Sequence, residues 1–304
     1  MRRCLLIANA NAQTVTRYGR GVIARALSAE FNVTLAETQG PGHATEMARD
    51  AADGGVDLVV ALGGDGTVNE AVNGLALTDT PLAILPGGGA NVFARALGIP
   101  RDPVEAAGAL LERIDDKPRR VSLGRVDGRY FVVNCGVGLD AAIVQRVERR
   151  QFAKRAAGDL AFLWAGLRTF FIGYGRREPK LELHWGDDLE HQAAGMFLIL
   201  VQNTEPFTYL GERALNFTPG ASLDEGLDFL ALDTLRIPTV LRIAVQSFGS
   251  GRHVRNAHVT HVRNQHRIVV EAATPMPVQA DGEFVGERER VEIVSVPEAL
   301  SLLV

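Results

Sequence analysis

The chain has 304 residues, 46% of them hydrophobic and 22% charged, which is enough for two ordinary globular cores and too apolar for a disordered chain. A formal charge of -4 gives no global attraction to nucleic acid or to an anionic membrane, so any such attraction must come from a local patch. No apolar run approaches the roughly 18 residues of a membrane span, the apolar part of MRRCLLIANA is too short for a signal-peptide core, and Cys4 and Cys135 sit in apolar runs as the buried thiols of a cytoplasmic protein do.

From residue 1 to about 115, short aliphatic runs alternate with helical segments. RCLLIANA (3–10), NVTLAET (32–38), VDLVVALGG (56–64) and PLAILPGG (81–88) read as strands, because near-continuous apolar runs mark strands covered on both faces. Between them YGRGVIARALSAEF, HATEMARDAADGG and TVNEAVNGLAL carry apolar residues at steps of three and four, so the pattern is a doubly wound parallel α/β domain. NVFARALG and DPVEAAGALLERI continue as helices, with Asp102 as cap and Pro103 at the first helical position.

After residue 118 the alternation becomes two-residue. RVSLGRVDGRYFVVNCGVGLD is two runs about Asp127-Gly128, a strong hairpin signal, followed by PKLELHW, MFLILVQN, LDFLALDTL, HVTHV, RIVVEA, MPVQADGEFVG and RVEIVSV. This half is expected to be an antiparallel β-sandwich, with helices inserted at about 139–175 and 238–249. The domains are therefore 1–118 and 119–295.

Two strands of the first half end in glycines that lead into helices: Gly63-Gly64-Asp65-Gly66 and LPGGGANVFAR (85–95). Ligands of an open parallel sheet bind beyond the carboxyl ends of its strands, where helix N-termini offer unpaired N–H groups, glycines admit phosphate oxygens, and Thr67 adds a hydroxyl. Two such ends with an embedded acid point to a nucleotide. Asp65 beside a phosphate makes sense either through a cation, Mg2+ first, or as an anchor for neighbouring N–H groups.

In the second half, ADGE supplies Asp281 and Glu283, which are either the acids of a proton transfer or part of another Asp-Gly hairpin turn. SLDEGLDF (222–229) offers carboxylate and carbonyl oxygens in one turn, as a hard divalent cation requires, or is simply a solvated turn. Residues 139–177 read as two helices with Arg146, Arg149, Arg150, Lys154 and Arg155 beside the stripe Leu160, Leu163, Leu167, Phe170 and Tyr174, a pattern that suits either a lipid interface or a core face. His253, His258, His261 and His266 lack metal-ligand spacing.

GGDGTVNEAVNGL with LPGGGANVFARALGIP, followed in order by VNCGVGLDAAIV, LDEGLDFL, VQADGE and VPEALSLLV, resembles the diacylglycerol kinase and sphingosine kinase catalytic-domain family, in particular its bacterial lipid kinases. The resemblance implies a tail, 296–304, that returns to the first domain. It also implies ATP contacts from Asn9, Ala10, Asn11, Ala12, Gln13, Thr38, Gly63, Gly64, Asp65, Gly66, Thr67, Val68, Asn69, Gly88, Gly89 and Asn91. It assigns Glu283 as proton acceptor with Asp281 as its partner, and a structural Mg2+ at Ser222, Glu225 and Leu227, the first and last through backbone oxygens. The family's second loop reads close to G-T-G-N-D, so Gly89 stands where it has threonine and Val92 where it has an acid.

The function expected is an ATP- and Mg2+-dependent kinase of a lipid hydroxyl, diacylglycerol or a sphingoid-like alcohol. It would work in the cytoplasm or at the inner face of the membrane, without nucleic acid. A kinase of a soluble acceptor resembling NAD kinase, or a non-catalytic lipid- or nucleotide-binding protein, are the alternatives.

Overall fold

A computed structural model describes residues 1–10, 15–138, 141 and 181–304. The expectations for Asn11, Ala12 and Gln13, and for the basic helical pair at 139–177 apart from Ala141, lie outside the described residues. The chain divides into two compact units, Met1–Leu123 with Pro297–Val304, and Gly124–Val296.

In the first unit, strands β1 (Arg2–Asn9), β2 (Phe31–Thr38), β3 (Leu58–Gly63) and β4 (Leu82–Pro86) alternate with helices α1 (Arg17–Leu27), α2 (His43–Asp53), α3 (Asp65–Leu75), α4 (Val92–Ala96) and α5 (Pro103–Glu112). The strands pair in parallel in the order β2-β1-β3-β4, with Asn9 opposite Thr38 and Gly63 opposite Pro86. Every residue of β3 and β4 is buried, which is why both read as unbroken apolar runs. Asp102 caps α5 by accepting from the Val104 and Glu105 N–H groups at 2.8 and 3.0 Å. The chain's last residues complete this unit: Leu302 pairs in parallel with Leu82, the Leu303 N–H donates to the Leu82 carbonyl, and Ala299, Leu300 and Leu302 are buried. Cys4 lies in the core formed by Leu6, Ile23, Leu27, Leu58 and Val60, where burial pushes its thiol up to about 12.

The second unit is antiparallel. Strand β5 (Arg119–Val126), which runs from the first unit into the second, forms a hairpin with β6 (Arg129–Phe131) about Asp127-Gly128, and β7 (Asn134–Gly138) pairs with β10 (Leu198–Gln202). β8 (Leu181–Trp185) pairs with β9 (His191–Met196), and β11 (Thr208–Leu210) with β12 (Arg213–Leu215). β13 (Leu227–Leu232) lies between β10 and β14 (Val259–Gln265). β15 (Arg267–Ala280) pairs with β7, β8 and β16 (Glu283–Leu302). A helix, α6 (Ile237–Ser247), precedes β14. Alternate residues of these strands, Cys135 and Val137, Leu181 and Leu183, Ile199 and Val201, Phe229 and Ala231, Ile268 and Val270, Ile293, point into one core. This is the β-sandwich that the two-residue alternation predicts.

Three departures from the sequence expectation have physical causes. α3 begins at Asp65, two residues before the expected TVNEAVNGLAL, because Gly64 takes the extended N-cap conformation. The run after Asp127-Gly128 is broken at Val132 and Val133 into β6 and β7. β9 reads HQAAGM, too poor in β-branched residues to be picked out as a strand, and forms through its pairing with β8.

Candidate active site

The two glycine loops of the first unit are joined backbone to backbone. The Gly87 N–H donates to the Gly63 carbonyl at 2.7 Å, which prolongs the β3–β4 ladder beyond Pro86. A Cβ on Gly88 would stand 2.7 Å from the Gly64 Cα, and one on Gly87 would stand 3.0 Å from the Gly63 Cα, so side chains are excluded where the loops meet. Gly89, by contrast, has nothing within 4 Å of a Cβ. We expect Gly88→Ala to force the loops apart and cost roughly 1–3 kcal/mol, while Gly89→Ala leaves the thermal unfolding midpoint unchanged. Calorimetry on the pair of variants checks this.

Asp65 ties these loops together. Its Oδ1 accepts from the Phe93 N–H at 3.2 Å, and burial pushes its carboxyl up against the pull of backbone N–H groups from Val92, Phe93, its own residue and Asn91. α4 has no cap of its own, because the Asn91 amide accepts from the Gly88 N–H at 2.9 Å and donates to the Gly88 carbonyl at 2.8 Å. The hydrogen bonds therefore favour the anchoring role for Asp65. The N-terminus of α3 has Gly64 at its cap with no side-chain capping bond, and Asp65 in its first turn takes its own N–H.

The remaining residues of the expected ATP set divide. Asn9, at the end of β1, donates from Nδ2 to the Thr67 hydroxyl at 3.0 Å, joining the carboxyl ends of β1 and β3. These adjacent strands flank the point where strand order reverses, the usual ligand position of such sheets. Thr38 ends the neighbouring strand and is half-buried, and Ala10 is exposed in the turn after β1. Val68 and Asn69 are buried, and Asn69 accepts from the Asn73 amide, so these two support the helix. The residues present suit a polyphosphate, which needs backbone donors and open approach more than side chains.

In the second unit, Asp281-Gly282 is a hairpin turn with φ of 48° and 79°, nearly the values of Asp127-Gly128 at 49° and 79°. The two carboxylates do different things. Asp127 pairs with the Arg288 guanidinium at 2.7 Å. Asp281 accepts three backbone N–H groups, from Val132 and Val133 at 2.8 Å and from Asn134 at 3.0 Å, and so makes the bend between β6 and β7. Gln279 braces the same turn, donating to Asn134 Oδ1 and accepting from the Gly282 N–H, both at 2.8 Å. Glu283 stands beside this turn with its side chain 41% exposed and is held by Arg129 Nη2 at 2.6 Å. Arg129 and Gln279 were not singled out in the sequence, since only the fold brings them to ADGE.

The groups of the acidic turn are engaged with one another and with Arg263. The Ser222 carbonyl accepts from the Glu225 N–H and its hydroxyl from the Asp224 N–H, and the Glu225 carboxylate is paired with Arg263 at 3.1 Å. Leu227 lies in the ladder opposite Gln265. Among the described residues no three His, Cys, Asp or Glu side chains gather as a metal site.

A diacylglycerol kinase catalytic domain model matches residues 3–126, and a YegS C-terminal NAD kinase beta sandwich-like domain model matches residues 133–304. The chain is 29% identical to a diacylglycerol kinase of Bacillus subtilis (strain 168) over 291 residues, 94% of this chain and 91% of that one. It is 28% identical to a diacylglycerol kinase of Staphylococcus saprophyticus over 268 residues, 88% of this chain and 83% of the relative. A crystal structure from Bacillus anthracis str. Sterne, of a protein proposed to be a diacylglycerol kinase, matches with a TM-score of 0.77 at 25% identity, covering 99% of this chain and 97% of that one. The paired glycine loops and the ADGE turn thus stand one in each matched region, and the chain belongs to the family of diacylglycerol kinase-like bacterial lipid kinases.

Proposed function

We propose that the protein transfers the γ-phosphate of ATP, with Mg2+, to the hydroxyl of a lipid, diacylglycerol or a sphingoid-like alcohol, at the cytoplasmic face of a membrane. The observation that carries this reading is the uncapped N-terminus of α3 beside two fused glycine loops, a backbone cradle for phosphate oxygens. Mg2+, when bound with the nucleotide, supplies charge neutralisation. The Gly66 and Thr67 N–H groups bind phosphate oxygens, Asn9 fixes the Thr67 hydroxyl, and Asp65 positions the second loop through the α4 backbone. Glu283 takes the proton of the acceptor hydroxyl, and Asp281 and Arg129 position it. Among the described residues no helix is long and apolar enough to cross a membrane.

Asp65→Asn tests the nucleotide half. An amide keeps one acceptor oxygen but loses the charge that strengthens bonds to the α4 N–H groups, about 1.5–3 kcal/mol for a bond to a charged group. We expect kcat/KM for ATP to fall roughly 10- to 100-fold, mostly through KM. A radiolabelled-ATP assay on detergent-dispersed host lipids, run beside soluble alcohols and NAD, identifies the acceptor. Phosphate appearing only in a soluble acceptor, or in none, would overturn the lipid kinase reading.

A further inference from the structure

The resemblance implies a structural Mg2+ in the turn around Glu225, yet the side chains there are already organised about a cation of the protein's own. Asp228 is fully buried and needs compensation. Its Oδ1 accepts from the Asn264 N–H at 2.8 Å and its Oδ2 from Arg263 Nε at 3.1 Å. The far end of the same guanidinium, Nη2, donates to the Gly220 carbonyl at 2.6 Å and to Glu225 Oε2 at 3.1 Å. One planar fork thus links a buried carboxylate, a turn carboxylate and a turn carbonyl, oxygens of the types that a hard divalent ion collects.

The backbone is shaped for this. β13 and β14 slip register between Leu227 and Phe229, so that Arg263 and Asn264 together oppose Asp228. Asn264 takes a φ of 55° in the bulge, and its Oδ1 accepts from the Gly226 N–H at 2.7 Å, fixing the glycine after Glu225. Gly220, at a φ of 91°, lies so close that a Cβ there would stand 3.1 Å from the guanidinium carbon. Asp228 also pushes the Arg263 guanidinium further towards its charged form. A divalent ion on Glu225 would have to sit against this fixed positive charge.

We infer that Arg263 is the resident cation of the 218–228 turn, and that this turn keeps its fold without a divalent metal. The protein then requires Mg2+ only together with its nucleotide.

The test uses the full chain without nucleotide. The unfolding midpoint is measured in EDTA and in millimolar Mg2+, and bound Mn2+ is counted by electron paramagnetic resonance after gel filtration. The expected result is a midpoint that differs by less than about 1 °C and no Mn2+ that depends on Glu225. Arg263→Ala should lower the midpoint by roughly 6 °C or more, since it leaves Asp228 buried without its cation. Mg2+ should then recover part of the loss. If the alanine variant does not fold, the double variant D228N/R263Q, neutral on both sides, should fold and stay indifferent to Mg2+. A stoichiometric Mn2+ in the unaltered protein that Glu225→Gln removes would overturn the inference, as would an Arg263→Ala variant of unchanged stability. Stoichiometric Mn2+ that survives Glu225→Gln but is lost in Glu225→Lys would overturn it as well, because glutamine keeps an oxygen ligand and lysine does not.

Discussion

Glu283→Gln should lower kcat by roughly 10²–10⁴-fold, the range that a positioned general base contributes, with the midpoint of thermal unfolding almost unmoved. The two effects separate because of where the side chain stands. Glu283 is only half-buried, and its contact is the Arg129 pair at 2.6 Å, an interaction worth at most about 1 kcal/mol at such exposure. Glutamine keeps an oxygen for Arg129 and the same length, so the turn is undisturbed, but it cannot accept a proton. KM for both substrates should stay within a few-fold, since the loss is confined to the transition state. Single-turnover transfer from labelled ATP to dispersed diacylglycerol reads the chemical step directly. Near-normal transfer would remove Glu283 from the role of proton acceptor.

Asp281→Ala should instead damage the fold. Its carboxylate is the acceptor for the Val132, Val133 and Asn134 N–H groups, and all three residues are buried. An unsatisfied buried donor costs about 1–3 kcal/mol, and alanine is also unfavourable at a φ of 48° by roughly 1 kcal/mol. Relaxation and water entry recover some of this, so a loss of about 3–5 kcal/mol is expected, on the order of 10 °C in midpoint for a chain of this size. Asp281→Asn, which tolerates positive φ and keeps one acceptor oxygen, should lose about half as much. Urea titrations give the ordering, and equal stability of Asp281→Ala and the unaltered chain would show that the bend at Val132 does not depend on this carboxylate.

These two acids mark the limit of what the sequence can disclose. The parallel strands were legible because burial on both faces leaves an unbroken aliphatic run, as LVVALG of β3 and LAILP of β4 show. The Asp-Gly turns were equally legible, since positive φ at consecutive residues selects those types. What each carboxylate touches was not. Asp127 and Asp281 occupy matching turns, and only the tertiary fold sends one to Arg288 and the other to a bend 147 to 149 residues away along the chain. In the sequence Asp65 suits a cation or an anchoring role equally, and what separates them, the missing cap of α4, is not visible there because Asn91 is a good capping residue turned elsewhere. Arg263 stayed unnoticed for a similar reason: a single basic residue in VTHVRNQ carries no sign that a bulge will aim it at Asp228.

The strand pairing of Leu302 with Leu82, and the burial of Ala299 and Leu300 beneath it, bind the first unit to the order in which the chain is made. A ribosome delivers β1 to β4 long before it delivers the segment that lies against β4, so the first unit waits with one flank of its sheet uncovered while the second unit is being synthesised. During that interval the edge of β4 is a site for chaperones or for unwanted strand addition. The glycine loops that follow β3 and β4 thus gain the support of this flank only after the second unit has been made.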